Sequence, residues 1–199
     1  MSEAHRDYQG AKIGMWLFLF TEFMLFGGLF ISYASYRAIY PAQFHHASAE
    51  LDVFLGVANT LILLTSSLFV AASITAVQKG RKNLALMLLA LTIAFGAWFL
   101  VNKYVEWGAH IRQGVYPNGP LLLKRPSGEI LFFGLYYVMT GLHGLHVLAG
   151  ALLLAFMLVL LAKDRIRQDD YVKLENSGLY WHLVDVIWIF LLPLFYLAA

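Results

Sequence analysis

The 199-residue chain contains no cysteine. That excludes disulfides, thiolate metal sites, c-type haem attachment, iron–sulfur clusters and thiolate-bridged copper. Charge is scarce as well. Asp, Glu, Lys and Arg make up 13% of the residues, against 60% hydrophobic, far from the balance of a soluble globular domain. A net charge of only +2 gives no basic footprint for nucleic acid. No fixed-period repeat appears, nor the paired broken helices of an inverted-repeat transporter. The polar start, MSEAHRDYQGAK, leads into an apolar run too long for a signal-peptide core and without a small-residue cleavage site.

What is present is five long apolar runs: Ile13–Tyr36, Val53–Val77, Leu84–Trp107, Ile130–Ala162 and Leu179–Ala199. Each is long enough to cross a bilayer as a helix. The fold predicted is an all-α polytopic membrane protein, a five-helix transmembrane bundle forming one domain over residues 1–199. The breaks carry turn residues: Pro41 with His45 and His46, QKGRKN at 78–83, YPNGP at 116–120 with KRPSGE at 124–129, and KDRIRQDD at 163–170. His45 and His46 read as solvated loop residues. Lys and Arg fall unevenly. Arg6, Lys12, Lys79, Arg81, Lys82, Lys163, Arg165, Arg167 and Lys173 share one side; Arg37, Arg112, Lys124 and Arg125 share the other, with Lys103 near a helix end. This asymmetry puts the N-terminus in the cytoplasm and the C-terminus outside.

Within these runs ionisable residues are rare, and each is a candidate functional group. Glu22 is the one carboxylate of the first run. It lies roughly 14 Å from Ile13, near the middle of a hydrocarbon core about 30 Å thick. His143 and His146 share a face of the fourth helix; His182 and Asp185 share one of the fifth. Their depths allow them to meet Glu22 in one layer, with Asn59, Thr60, Ser66 and Ser67 adding neutral polar groups. Glu106 falls at the outer end of the third helix, apart from the rest. Carboxylates and imidazoles at such spacings build di-metal sites in helical bundles. A second Glu-x-x-His is missing, and a hydrogen-bonded network fixing helix register is the favoured reading. Three intramembrane His are also too few for haem and copper ligation. Gly27, Gly28, Gly134, Gly141, Gly144 and Gly150 read as points of close helix approach, and Tyr180, Trp181, Trp188 and Tyr196 as packing and interface residues. No Lys or Arg reaches the depth of Glu22, so Glu22 is expected to be neutral and hydrogen-bonded to one of that layer.

Five segments carry a family likeness: KIGMWLFLFTEFMLFGGLF at 12–30, NTLILLTSS at 59–67, YVEW at 104–107, TGLHGLHVLAG at 140–150 and ENSGLYWHLVDVIWIFLLPLFYL at 175–197. In this order they resemble subunit III of the heme-copper respiratory oxidases, in the five-helix bacterial form shared by cytochrome c and quinol oxidases. The resemblance implies a subunit of an aerobic respiratory chain with no redox cofactor and no catalytic site of its own. It packs on a haem- and copper-bearing catalytic subunit among the other subunits of the complex, supports proton uptake and proton translocation there, and protects that subunit during turnover. Glu22 matches the family's buried carbodiimide-reactive glutamate; Asn59, Glu106, His143, His146, Glu175, His182 and Asp185 match other motif positions. The resemblance also implies the bacterial inner membrane and contact with membrane lipid. Longer members hold phospholipid in a cleft, half of which has a counterpart here. A close relative of the family accompanies nitric oxide reductase, and the electron donor is not encoded in this chain. From other classes, a self-contained metal-dependent membrane enzyme and a small transporter are the alternatives.

Overall fold

The computed structural model describes residues 8–197. Arg6 of the orientation count and residues 198–199 of the fifth run lie outside the described residues. The elements are α1 (Tyr8–Ile39), α2 (Pro41–Ser48), α3 (Val53–Gln78), α4 (Lys82–Arg112), a 3₁₀ turn at Leu122–Lys124, α5 (Ser127–Ala162) and α6 (Val172–Phe195). Five of them, all but α2 and the turn, are long and apolar enough to span a membrane. The all-α, five-span architecture expected from the sequence is the one found.

The helix ends differ from the apolar runs because a helix stops where its backbone is released, not where its hydrophobicity does. α4 continues past Trp107 to Arg112 and ends before Gly114, whose φ of 75° is left-handed. Gly80, at φ 69°, closes α3 in the same way. α6 begins seven residues before Leu179, on an amphipathic turn that buries Leu174, Ser177 and Gly178. The break containing Pro41 is itself helical. Pro41 occupies the first turn of α2, where its missing N–H costs nothing. His45 and His46 therefore sit on a helix rather than in a loop.

Helices α3, α4, α5 and α6 pack in a closed ring, each against the next, with α6 returning to α3. α1 lies outside the ring against α5 and α6, and α2 rests on α5. α1 buries a single stripe, Leu19, Phe26 and Tyr33, at seven-residue spacing. The ring is filled by aromatics. Trp181 and Trp188 are both fully buried, and their indole N–H groups donate to Ser66 Oγ (2.9 Å) and Thr60 Oγ1 (2.9 Å) of α3. A Cβ on Gly96 or Gly150 would stand 2.6 Å or 2.9 Å from the Trp181 ring. These glycines make room for an indole rather than for a neighbouring backbone. Gly27, Gly28 and Gly134 have nothing within 4 Å of an added Cβ among the described residues, so the expected close approach is not made there within this chain. At its C-terminus α6 leaves carbonyls without helical partners. Tyr33 Oη of α1 donates to the carbonyl of Leu194, and Ser48 Oγ of α2 donates to that of Phe195 (2.7 Å).

Candidate functional site

The seven-residue stripe of α1 decides what Glu22 faces. Residue 22 follows Leu19 by three and precedes Phe26 by four, so its side chain leaves the helix on the one packed face. There Glu22 Oε2 lies 2.8 Å from His146 Nε2 of α5. Both side chains are mostly covered, 17% and 15% exposed. Phe26 meets the imidazole edge-on at 5.4 Å, and Tyr180 donates to the backbone carbonyl of His146 (3.3 Å). His146 Nδ1 lies 2.7 Å from the carbonyl of Leu142. A carbonyl only accepts, so Nδ1 carries a proton. The contact to Glu22 then holds one proton in either of two states: carboxylic acid to neutral imidazole, or imidazolium to carboxylate. In both the pair is electrically neutral, which suits its depth.

The other residues of the expected layer go elsewhere. His182 Nδ1 is 2.5 Å from Ser67 Oγ of α3. His143 is fully buried in the ring, 5.1 Å from the Trp188 ring and edge-on to Phe99 at 5.4 Å. Neither of its nitrogens has a hydrogen-bond partner among the described residues. Asp185 is buried beside Ser67, and neither carboxylate oxygen makes a well-formed hydrogen bond among the described residues. So His143 and His146, three apart on one helix, diverge: one points into the ring and the other toward α1. Asn59 Oδ1 accepts from Asn102 Nδ2 (2.8 Å), tying α3 to α4. Glu175, in the first turn of α6, pairs with Lys12 of α1 at 3.1 Å.

The most connected polar site was not visible as one in the sequence. Lys103 and Glu106, each only 6% exposed, form a buried ion pair at 3.0 Å. Lys103 Nζ donates also to Tyr136 Oη of α5 (2.9 Å) and to Tyr196 Oη (2.8 Å). Both phenols donate to Glu106 Oε1, at 2.5 Å and 2.7 Å. All three ammonium protons are used, and the carboxylate accepts three bonds. This corrects the placing of Glu106 at the outer end of its helix; its partners are Lys103, Tyr136 and Tyr196, none of them in the expected layer with Glu22. The apolar run stops at Trp107, but the helix runs on to Arg112, so residues 103–106 lie well inside it. The Lys-x-x-Glu spacing, a pair on one helix face, was the available signal.

Taken together, the fold and its polar sites define a multi-pass helical membrane protein held by internal pairs and clusters. The cytochrome c oxidase subunit III family model matches residues 3–199. Cytochrome c oxidase subunit 3 of Thermostichus vulcanus is 33% identical over all of this chain and 92% of its own length. Cytochrome bo(3) ubiquinol oxidase subunit 3 of Pseudomonas putida is 32% identical over 98% of this chain and 89% of its own. A heme-copper oxidase subunit I+III of Aeropyrum pernix is 28% identical over 94% of this chain, matching 22% of its own length. The chain belongs to the cytochrome c oxidase subunit III family, the non-redox third subunit of heme-copper oxidases.

Proposed function

We propose that this chain stabilises the haem- and copper-bearing catalytic subunit of its oxidase and supports proton uptake into it, without redox chemistry of its own. The observation that carries this reading is how the intramembrane donors are spent. Glu22 with His146, Ser67 with His182, and Lys103 with Glu106, Tyr136 and Tyr196 are consumed in helix-to-helix bonds. His143 and Asp185 are the exceptions, buried at separate places in the packing, one against the Trp188 ring and one beside Ser67, without a well-formed hydrogen bond among the described residues. Such an arrangement fixes helix register and presents a rigid apolar body to a neighbour. The fused subunit I+III relative supports a catalytic-subunit partner, since one chain there carries both names.

The reading includes the bacterial inner membrane, with the N-terminus in the cytoplasm, because the basic residues cluster at the α3–α4 and α5–α6 connections. It also includes bound lipid. An apolar groove of about 360 Å³ between α1 and α6, lined by Trp16, Phe20, Phe23 and Leu183, suits acyl chains. Purification in mild detergent tests the reading. The expected result is a complex with a haem spectrum and larger subunits at fixed ratio. An active, haem-free assembly of this chain alone would overturn it.

A further inference from the structure

Outside the bundle interior, three segments bring ligating atoms to one point. His46 is on α2, Glu50 in the turn that follows, and Glu129 in the first turn of α5. His46 Nδ1 is 3.1 Å from Glu129 Oε1 and 3.9 Å from Glu50 Oε1. One donor atom from each residue lies within 4.8 Å of the others. We propose that His46, Glu50 and Glu129 form a surface site for a divalent transition-metal ion of the zinc type, completed by water.

Four features support the assignment. The donor set mixes one imidazole with two carboxylates, and imidazole distinguishes zinc-type ions from calcium or magnesium. His46, in the last turn of α2, and Glu50, in the turn just beyond it, stand four apart, and their ligating atoms come within 3.9 Å. The His46 side chain is 70% exposed, so a hydrated ion reaches Nδ1 directly from solvent. The carboxylates are also held by a partner of their own. Arg125 Nη1 donates to Glu50 Oε1 (2.6 Å) and to Glu129 Oε2 (3.3 Å). Glu129 Oε1, the oxygen facing His46, takes no bond from Arg125, so Arg125 can orient Glu129 while that oxygen binds the ion. Two carboxylates against one guanidinium leave the group net negative when the imidazole is neutral.

The scaffold beneath is fixed. Phe44, two residues before His46, is fully buried and edge-on to Tyr33 (5.3 Å) and Phe132 (5.5 Å). Gln43 Oε1 accepts from the backbone N–H of Gly128 (2.5 Å), at the start of α5. The backbone of α2 therefore needs no change; Glu50 Oε1, the oxygen facing His46, already accepts from Arg125, so Glu50 binds through its other oxygen or exchanges that bond for the ion, which would bridge α2 to α5.

The test is Zn²⁺ titration of the chelator-treated complex by calorimetry, for the parent, His46→Ala and Glu129→Gln. His46 is exposed, so its removal leaves the fold intact, which elution as an assembled complex would verify. The expected result is a Zn²⁺ site in the parent weakened about tenfold or more in each variant, equivalent to about 1.4 kcal/mol. Ca²⁺ binding should not change in His46→Ala. Zn²⁺ stoichiometry and affinity equal in the parent and His46→Ala would overturn the proposal. So would parallel losses of Zn²⁺ and Ca²⁺ in His46→Ala, because the imidazole would then not be a ligand.

Discussion

Removing Lys103 should be among the most destabilising single changes at a polar position of any ring helix. The ammonium has three acceptors, Glu106 at 3.0 Å, Tyr136 at 2.9 Å and Tyr196 at 2.8 Å, and is 6% exposed. Breaking a buried ion pair from one side costs about 3–5 kcal/mol, because the remaining charge keeps its desolvation penalty and loses its partner. In Lys103→Met the Glu106 carboxylate keeps two phenol donors, so the lower part of that range is expected. In Glu106→Gln the ammonium keeps two phenol oxygens but no counter-charge, and a similar loss follows. The double variant Lys103→Met/Glu106→Gln removes both charges together. It should recover on the order of 2 kcal/mol relative to the sum of the single losses, as contacting residues do. Reversible unfolding in mixed micelles with increasing sodium dodecyl sulfate gives each free energy. The reasoning fails if the two single losses are each under about 1 kcal/mol, or if the double variant equals their sum.

Other outcomes follow from the same contacts. Gly96→Val should destabilise by about 1–3 kcal/mol through overpacking, because a Cβ there stands 2.6 Å from the Trp181 ring; micellar unfolding reads it, and Gly27→Ala, with open space in front, should be silent. Ser48→Ala should lose roughly 1 kcal/mol, since the Phe195 carbonyl loses its donor. Asp164 outside the membrane has its carboxyl held below the usual range by a hydrogen bond from Lys82. The α4–α5 clip it makes is therefore complete above the ordinary carboxylate range and lost as pH falls through the lowered value. Asp164→Asn should erase that acid-side slope by losing the small neutral-pH contribution of the clip, so that parent and variant converge at low pH; micellar unfolding followed against pH reads it. Glu22→Gln keeps a donor for His146 Nε2 but cannot ionise; the variant should assemble, turn over and pump near the parent level, and a collapse of pumping with haems intact would make Glu22 a proton carrier instead.

The spans were legible because bilayer thickness sets a length that five apolar runs meet. Their ends were not, because hydropathy ignores amphipathic turns such as the one that starts α6, and because a proline such as Pro41 starts helices as readily as it interrupts them. Glu22 stood out as a solitary carboxylate. Its partner was hidden because three imidazoles occupied similar depths and only the packing of α1 on α5 selects His146. The same packing divides His143 from His146 and leaves Asp185 beside Ser67. Lys103 and Glu106 were misplaced for a simpler cause: their depth was measured from the end of an apolar run, five residues short of the end of the helix. The glycine pattern misled in part, since Gly96, absent from the expected set, seats the largest buried ring while Gly27, Gly28 and Gly134 seat nothing.

The central claim is that the chain sustains a catalytic subunit rather than performing redox chemistry. The most direct measurement is on the oxidase purified with and without this chain, at equal haem content, following turnover number over time and the rate of proton uptake. The account predicts that both preparations begin with the same haem and copper content. The preparation lacking this chain should take up protons more slowly and lose activity after fewer turnovers, and adding the chain back should restore both. Identical proton uptake and identical lifetimes would contradict it.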